Sequence, residues 1–208
     1  MKTRTPRERR QERTRHDILT AAIDIIAEEG ADQLSLREIA RRIDYSPAAL
    51  YRHFDSKEAI VDAVCNEANR RLGDSLAIVP ETLPPVEYLI ELGMAYLRFA
   101  DENPQHFHFI ATWQIPMPPD VTREDIEQAA EDPDDPFSRL YRGIRRGIDA
   151  GKLHVRPGYG ALEMAFSVWA MAHGMAVLQT QRLGRMPIDF PTANRQALAD
   201  FIAGMGIV

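Results

Sequence analysis

The tightest constraint on this chain is the spacing of its helix signals between Thr14 and Lys57. Thr14 can cap a helix whose apolar positions Ile18, Ala22, Ile25 and Ile26 follow the i, i+4, i+7, i+8 pattern of a one-sided helix, and Gly30 stops it where a left-handed residue is wanted. Ser35-Leu36-Arg37-Glu38 is a capping box. The helix it opens buries Leu36, Ile39, Ala40 and Ile43 and turns Arg37, Arg41 and Arg42 outward, and Asp44-Tyr45 makes the next turn. Ser46-Pro47 then starts again, with a side-chain acceptor at the N-cap and a ring at N1, where the missing N–H costs nothing. Asp55 to Glu58 repeats a cap pattern and opens a long fourth helix through Arg71. Three short helices within about 45 residues, joined by tight turns, have the length and order of a helix-turn-helix bundle.

Beyond Gly73 the pattern stays helical, with breaks at residues 80–85, 103–104, 116–119, 133–136, 151–158 and 187–191. No strand-like alternation persists and no internal repeat appears. The stretch 114–136 reads as a loop around a short helix capped by Thr122. The expected fold class is therefore all-α: a three-helix helix-turn-helix domain followed by a larger helical domain. The expected division is a basic, disordered arm at 1–13, the helix-turn-helix domain at 14–60 and a helical body at 61–208.

Charge is distributed unevenly. Residues 1–15 hold seven Lys/Arg against two Glu, a local balance of +5, whereas the 148 residues after 60 hold thirteen basic against twenty acidic side chains. This fits a polyanion-binding end joined to an acidic body, and it also fits a charged tail with no partner. No apolar run approaches the roughly 20 residues needed to span a bilayer. The N-terminus has no apolar core of a secretory signal, and the single Cys65 suits a reducing compartment. These features predict a cytoplasmic protein with no membrane partner.

An enzyme needs a convergent site. The six histidines, at 16, 53, 106, 108, 154 and 173, include no i, i+4 pair with a third ligand nearby, and His106 and His108 fall on different sides of a helix. A metal site built from that pair and neighbouring acids is the one alternative. No Gly-rich phosphate loop, nucleophile elbow or zinc spacing appears. The expectation is no catalytic residue, no metal and no cofactor.

On a helical wheel of residues 46–54, Leu50, Phe54 and Pro47 form the inward stripe. Ala48 and Arg52 lie almost opposite, flanked by Tyr51 and Ala49. The outer face is thin near the helix start and polar further on. A solvated face has no need to stay thin beside its cap, whereas a helix start that enters a DNA groove does.

These same residues carry a family resemblance. ILTAAIDIIAEEG, LSLREIARRI and SPAALYRHFDSKEAI with its LYxHFxxK core resemble the DNA-binding domain of the tetracycline-repressor (TetR) family, over Thr14 to Val64. The resemblance implies that Tyr51, His53 and Lys57 hold phosphates, that Arg37 touches backbone or base, and that Ser46, Ala48 and Ala49 form the base-reading start of the recognition helix. Ser35 and Arg52 complete the expected DNA-binding set. Asp44 departs from the glycine that family members often carry in the turn; Asp tolerates the left-handed conformation.

In the body, SVWAMAHGMAVL (167–178) resembles a Trp-(x)3-His-Gly pattern of one subset of TetR-like C-terminal domains, and PQHFHFIATW (104–113) sits where that subset has a comparable segment. Residues 161–182 read as a helix with Ala165, Val168, Trp169, Ala172 and Ala176 on one stripe, and a final helix from Thr192 carries Ala197, Phe201 and Ile202. The resemblance implies that two such helices from each of two chains build a four-helix homodimer interface; completion of the monomer core is the alternative. Phe99, Phe107, Trp113, Tyr141, Met164, Trp169 and His173 are candidate contacts for an apolar or amphipathic small molecule, with plain core as the competing reading. The functional expectation is a repressor, associated with the nucleoid, that binds a palindromic operator in double-stranded DNA and is released by a ligand. The alternative is an architectural or cell-division factor that uses the same DNA-binding domain and whose body binds protein partners.

Overall fold

The computed structural model describes residues 5–30, 33–112, 120–130, 132 and 135–206. Among them the chain forms ten α-helices: α1 Pro6–Glu29, α2 Leu36–Arg42, α3 Pro47–Leu50, α4 Lys57–Ala77, α5 Pro85–Glu102, α6 Pro104–Thr112, α7 Arg123–Ala129, α8 Pro136–Asp149, α9 Ala161–Leu178 and α10 Phe190–Gly204. No strand forms among the described residues; a lone bridge pairs Arg156 with Tyr159. The fold is all-α, as the periodicity requires. The chain divides into two compact units, Met1–Ala68 with Gln105–Trp113, and Asn69–Pro104 with Gln114–Val208. The division falls inside α4, after Ala68, and not at residue 60, because Ile60, Val61, Val64 and Ala68 all belong to the first unit's core.

The first unit closes around Ile18, Ala22, Ile25, Ile39, Leu50, Ile60, Val64 and Ala68, all essentially inaccessible to solvent. Its helices start where side chains accept from orphan amides. Glu38 N donates to Ser35 Oγ at 3.2 Å, Ala49 N to Ser46 Oγ at 3.2 Å and Ala59 N to Ser56 Oγ at 3.1 Å. Asp44 takes φ 58°, the left-handed turn expected of it. Two expectations change. α1 begins at Pro6, not after Thr14, so the segment read as a disordered arm is helical from residue 6. Thr5 caps it with a complete box, Glu8 N donating to Thr5 Oγ1 at 3.2 Å and Thr5 N to Glu8 Oε2 at 2.7 Å. And α6, predicted with the body, adds Phe109 to the first unit's core.

In the second unit α5 packs against α8, α9 and α10, and α9 also against α8 and α10. Tyr141, Ile144, Leu153, Met164, Ala165, Val168 and Ile202 share one core. Gly93 permits the close approach of α5 to α10: a Cβ there would stand 2.7 Å from Leu198 Cδ1. The helical path of α9 continues as a π-helical turn, Gln179–Leu183, where Asn194 Nδ2 donates to Gln179 Oε1 at 2.8 Å. The stretch Ala161–Gln181 is long and apolar enough to cross a bilayer on length and composition alone, contrary to the expectation that no run is. Glu163, Ser167 and His173 interrupt its apolar tally without excluding it. Within the unit, one side of it is buried through Met164, Ala165, Val168, Ala172 and Ala176. Trp169, predicted on that stripe, lies outside it and is 42% exposed.

Candidate nucleic-acid interface

The helix at Ser46 is short. Only Pro47–Leu50 is α-helical, after which Arg52 N donates to Ala49 O at 3.3 Å and His53 N to Leu50 O at 2.8 Å, tightening the coil into Phe54. Leu50 and Phe54 anchor it, 0% and 5% exposed. Pro47, placed inward by an ideal wheel, is exposed, because N1 of so short a helix lies before the first full turn. Opposite the anchors stand Ala48, Tyr51 and Arg52, all exposed, with Ala49 half-buried beside them. The thin start and polar flank read from the sequence are therefore joined on one accessible face.

Each predicted DNA-binding residue can be located. The hydroxyls of Ser35 and Ser46 accept from the backbone as caps, and each keeps its O–H proton for a second partner. On α2, Arg41 Nε donates to Glu38 Oε2 at 2.9 Å, and Arg42 reaches Glu28 at 2.8 Å and Glu29 at 2.9 Å on α1. Arg41's guanidinium in turn holds the Glu38 carboxyl below the usual carboxylate range. Arg37 is exposed and forms no ion pair among the described residues, so of the three arginines it alone keeps its charge for an external anion. His53 and Lys57 are half-buried, beside the end of α3 and at the start of α4.

Two tethers join α1 to the α3 segment. Thr14 Oγ1 lies 3.3 Å from Tyr45 Oη, and the Arg15 guanidinium lies 4.5 Å over the Phe54 ring. They fix α1 at both ends of the α3 segment. Their signal is weak, because each joins residues more than 30 positions apart.

The predicted small-molecule contacts are shared between the two units. Phe99, Tyr141 and Met164 are core residues of the second unit, at 1%, 5% and 0% exposure; Phe107 belongs to the first unit, and Trp113 lies outside the described residues. Trp169 and His173 are one turn apart on α9, and His173 has a partner in Tyr96 on α5. Tyr96 Oη is 2.7 Å from His173 Nδ1, and the Trp169 and His173 rings meet edge-on with centroids 6.2 Å apart. Burial pushes the Tyr96 hydroxyl up to about 12 and pushes the His173 imidazole down. With the imidazole disfavoured as a cation, the consistent arrangement has Tyr96 Oη donating to His173 Nδ1. Phe137 packs edge-on against Trp169, ring centroids 6.1 Å apart. Among the described residues no three His, Cys, Asp or Glu side chains gather as a metal site.

Comparison with known proteins supplies a lineage. Residues 18–64 match the sequence family described as bacterial regulatory proteins, tetR family, and residues 89–201 match the tetracyclin repressor-like C-terminal domain. The chain is 31% identical over 110 residues to an uncharacterized HTH-type transcriptional regulator of Mycobacterium tuberculosis, a match covering 52% of this chain and 54% of that protein. It thus spans about half the length of that relative. It is 29% identical over 152 residues to the nucleoid occlusion factor SlmA of Aliivibrio fischeri, covering 69% of this chain and 73% of that protein. The crystal structure of a bacterial regulatory protein in the tetR family from Rhodococcus superposes with a TM-score of 0.68 at 18% identity, covering 93% of this chain and 97% of that one; it shares the fold.

Proposed function

The chain belongs to the TetR family of bacterial regulatory proteins, and from that premise we propose that it is a sequence-specific DNA-binding transcriptional regulator, reading a palindromic operator through residues 35–57. The observation that carries this reading is the exposed face of α3, where a capped start bearing only Ala48 and Ala49 is bordered by Tyr51 and Arg52. Two alanines offer apolar contact to thymine methyls, while Tyr51, His53 and Lys57 hold phosphates and Arg37 and Arg52 reach base edges or backbone.

The same reading makes the protein a homodimer that acts in the cytoplasm, on the nucleoid. A two-fold protein matches a two-fold operator, and the two recognition helices of the DNA-bound form sit about 34–36 Å apart. α9 and α10 build the interface. Phe166 and Leu178 on α9 are 60% and 54% exposed, and Gly174 has open space where a Cβ would stand, so no packing within the chain requires a helix-weakening glycine there. The body belongs to the Trp-His-Gly subset, and the edge-on contact of Trp169 with His173, itself bonded to Tyr96, gives that spacing a physical purpose. An apolar or amphipathic ligand bound in the body releases the operator by favouring a different separation of the recognition helices. TetR-family regulators are generally not enzymes, and this reading assigns no catalytic role.

A second reading has one observation in its favour: a relative matched over 152 residues is named a nucleoid occlusion factor. In that case the same DNA contacts serve a body that binds protein. The test is selection of random duplex DNA by the purified chain, followed by sequencing. Enrichment of a two-fold-symmetric motif supports the DNA reading, and its release by a small molecule separates a ligand-responsive repressor from an architectural factor. No enrichment at low and moderate salt contradicts it.

A further inference from the structure

We infer that the first two turns of α1 form a second phosphate-holding surface, in which Arg7 and Arg10 grip the DNA backbone flanking the half-site read by α3. The inference rests on the DNA-binding reading above and adds a rigid helical contact where the sequence suggested a flexible tail.

Three observations carry it. The first is charge in an unfavourable place. Arg7, Arg9, Arg10 and Arg13 are all exposed, and none is held in an ion pair among the described residues. Arg7 and Arg9 lie in the first turn and Arg10 just beyond it, at the helix end whose dipole disfavours cations. Glu8, which suits that end, is committed to the cap. The arginines therefore do not serve the stability of the helix that bears them.

The second observation is direction. Arg7, Arg10 and Thr14 follow i, i+3, i+7 and share one helix face. At Thr14 that face meets Tyr45, the residue immediately before the Ser46 cap of α3, with the hydroxyls 3.3 Å apart. Going towards the N-terminus, the same face carries Arg10 one turn out from this contact and Arg7 two turns out, about 6 and 10 Å along the axis. Arg9 and Arg13 sit on another stripe, about 110° round the helix.

The third observation is rigidity. The segment is tied on both sides of α3, through Thr14 to Tyr45 and through Arg15 to Phe54, and its start is closed by the Thr5–Glu8 box. The arginine positions are thereby fixed relative to the recognition segment, and little ordering remains to be done on binding. Charge complementarity selects the partner: guanidinium groups at helical spacing beside a groove-entering helix match the phosphates that border its site.

The test compares two charge-matched variants of the full-length protein, Arg7→Gln/Arg10→Gln and Arg9→Gln/Arg13→Gln, on the duplex that the wild type selects. Affinity is measured by fluorescence anisotropy over a series of NaCl concentrations, and circular dichroism checks that helix content is kept. Each phosphate contact contributes about 0.9 to the slope of log K against log salt. The first variant should flatten the slope by up to about 3.6 for four arginines in a dimer, with the selected sequence unchanged; the second should flatten it clearly less. Equal flattening by both pairs would mean that only the overall charge acts, and it would overturn the inference. So would an unchanged slope in both. A wild type that selects no duplex sinks the DNA reading itself, whereas a wild type that selects a motif while neither pair changes its slope sinks this surface alone.

Discussion

Asp44 holds the turn between α2 and α3 with φ 58°, where a Cβ crowds the following carbonyl; Asn and Asp offset this by bonding locally, and glycine has no Cβ to crowd. The chain uses Asp at a position where the family often uses Gly, and the geometry explains why the exchange is tolerated. Asp44→Gly should leave stability within about 1 kcal/mol, whereas Asp44→Val, β-branched and unable to bond locally, should cost about 1–2 kcal/mol in chemical denaturation. Equal stability of the two variants would show that the turn does not depend on the left-handed residue. At this scale the sequence was most readable. Ser35, Ser46 and Thr122 announce their caps because a cap is a contact three residues long. Thr5-Pro6-Arg7-Glu8 carries the same signal and is the true start of α1, whereas the Thr14 hydroxyl reaches Tyr45.

Among the elements, α9 shows what local pattern can and cannot tell. Trp169 and His173 are separated by one helical turn and so stand together on any helix, but Tyr96, 77 residues from His173, becomes the partner of His173 only through the packing of α5 on α9. That arrangement has a pH signature. Burial lowers the folded-state affinity of His173 for a proton, while the unfolded chain takes one up near the ordinary histidine value of about 6.5. Below that range the unfolded state binds the extra proton, so stability falls as pH drops through it and is fully present above it. His173→Gln should flatten this acid-side decline relative to wild type in denaturation at a series of pH values; an unchanged profile would assign the decline to other groups. On the alkaline side the Tyr96 hydroxyl, held up to about 12, remains a donor at any ordinary pH. For α6, helicity was readable and membership was not, since Phe109 joins the first unit's core through contacts distant in sequence. The same limit applies to the ligand set: aromatic spacing identifies Phe99, Tyr141 and Met164 as inward without distinguishing core from lining.

For the molecule as a whole, the account requires two chains. Gly174→Leu places a side chain into space left empty within the chain, and Phe166→Glu puts a charge on a ring already 60% exposed. Either should leave the circular dichroism intact while shifting sedimentation from dimer to monomer, with operator affinity falling as the paired half-sites are lost; dimers of wild-type strength in both variants would place the interface elsewhere. The central claim is that the start of α3 enters a DNA groove, and Ala48→Glu tests it most directly. The site is exposed, and a carboxylate near a helix N-terminus is favourable for folding, so the fold should be as stable as the wild type or more so. Against the acceptor-rich, negatively charged groove the same carboxylate is repelled, and affinity for the selected duplex should fall on the order of a hundredfold or more, with the dimer retained. Wild-type affinity in the folded, dimeric Ala48→Glu protein would contradict the account, because the face on which it rests would then not touch DNA.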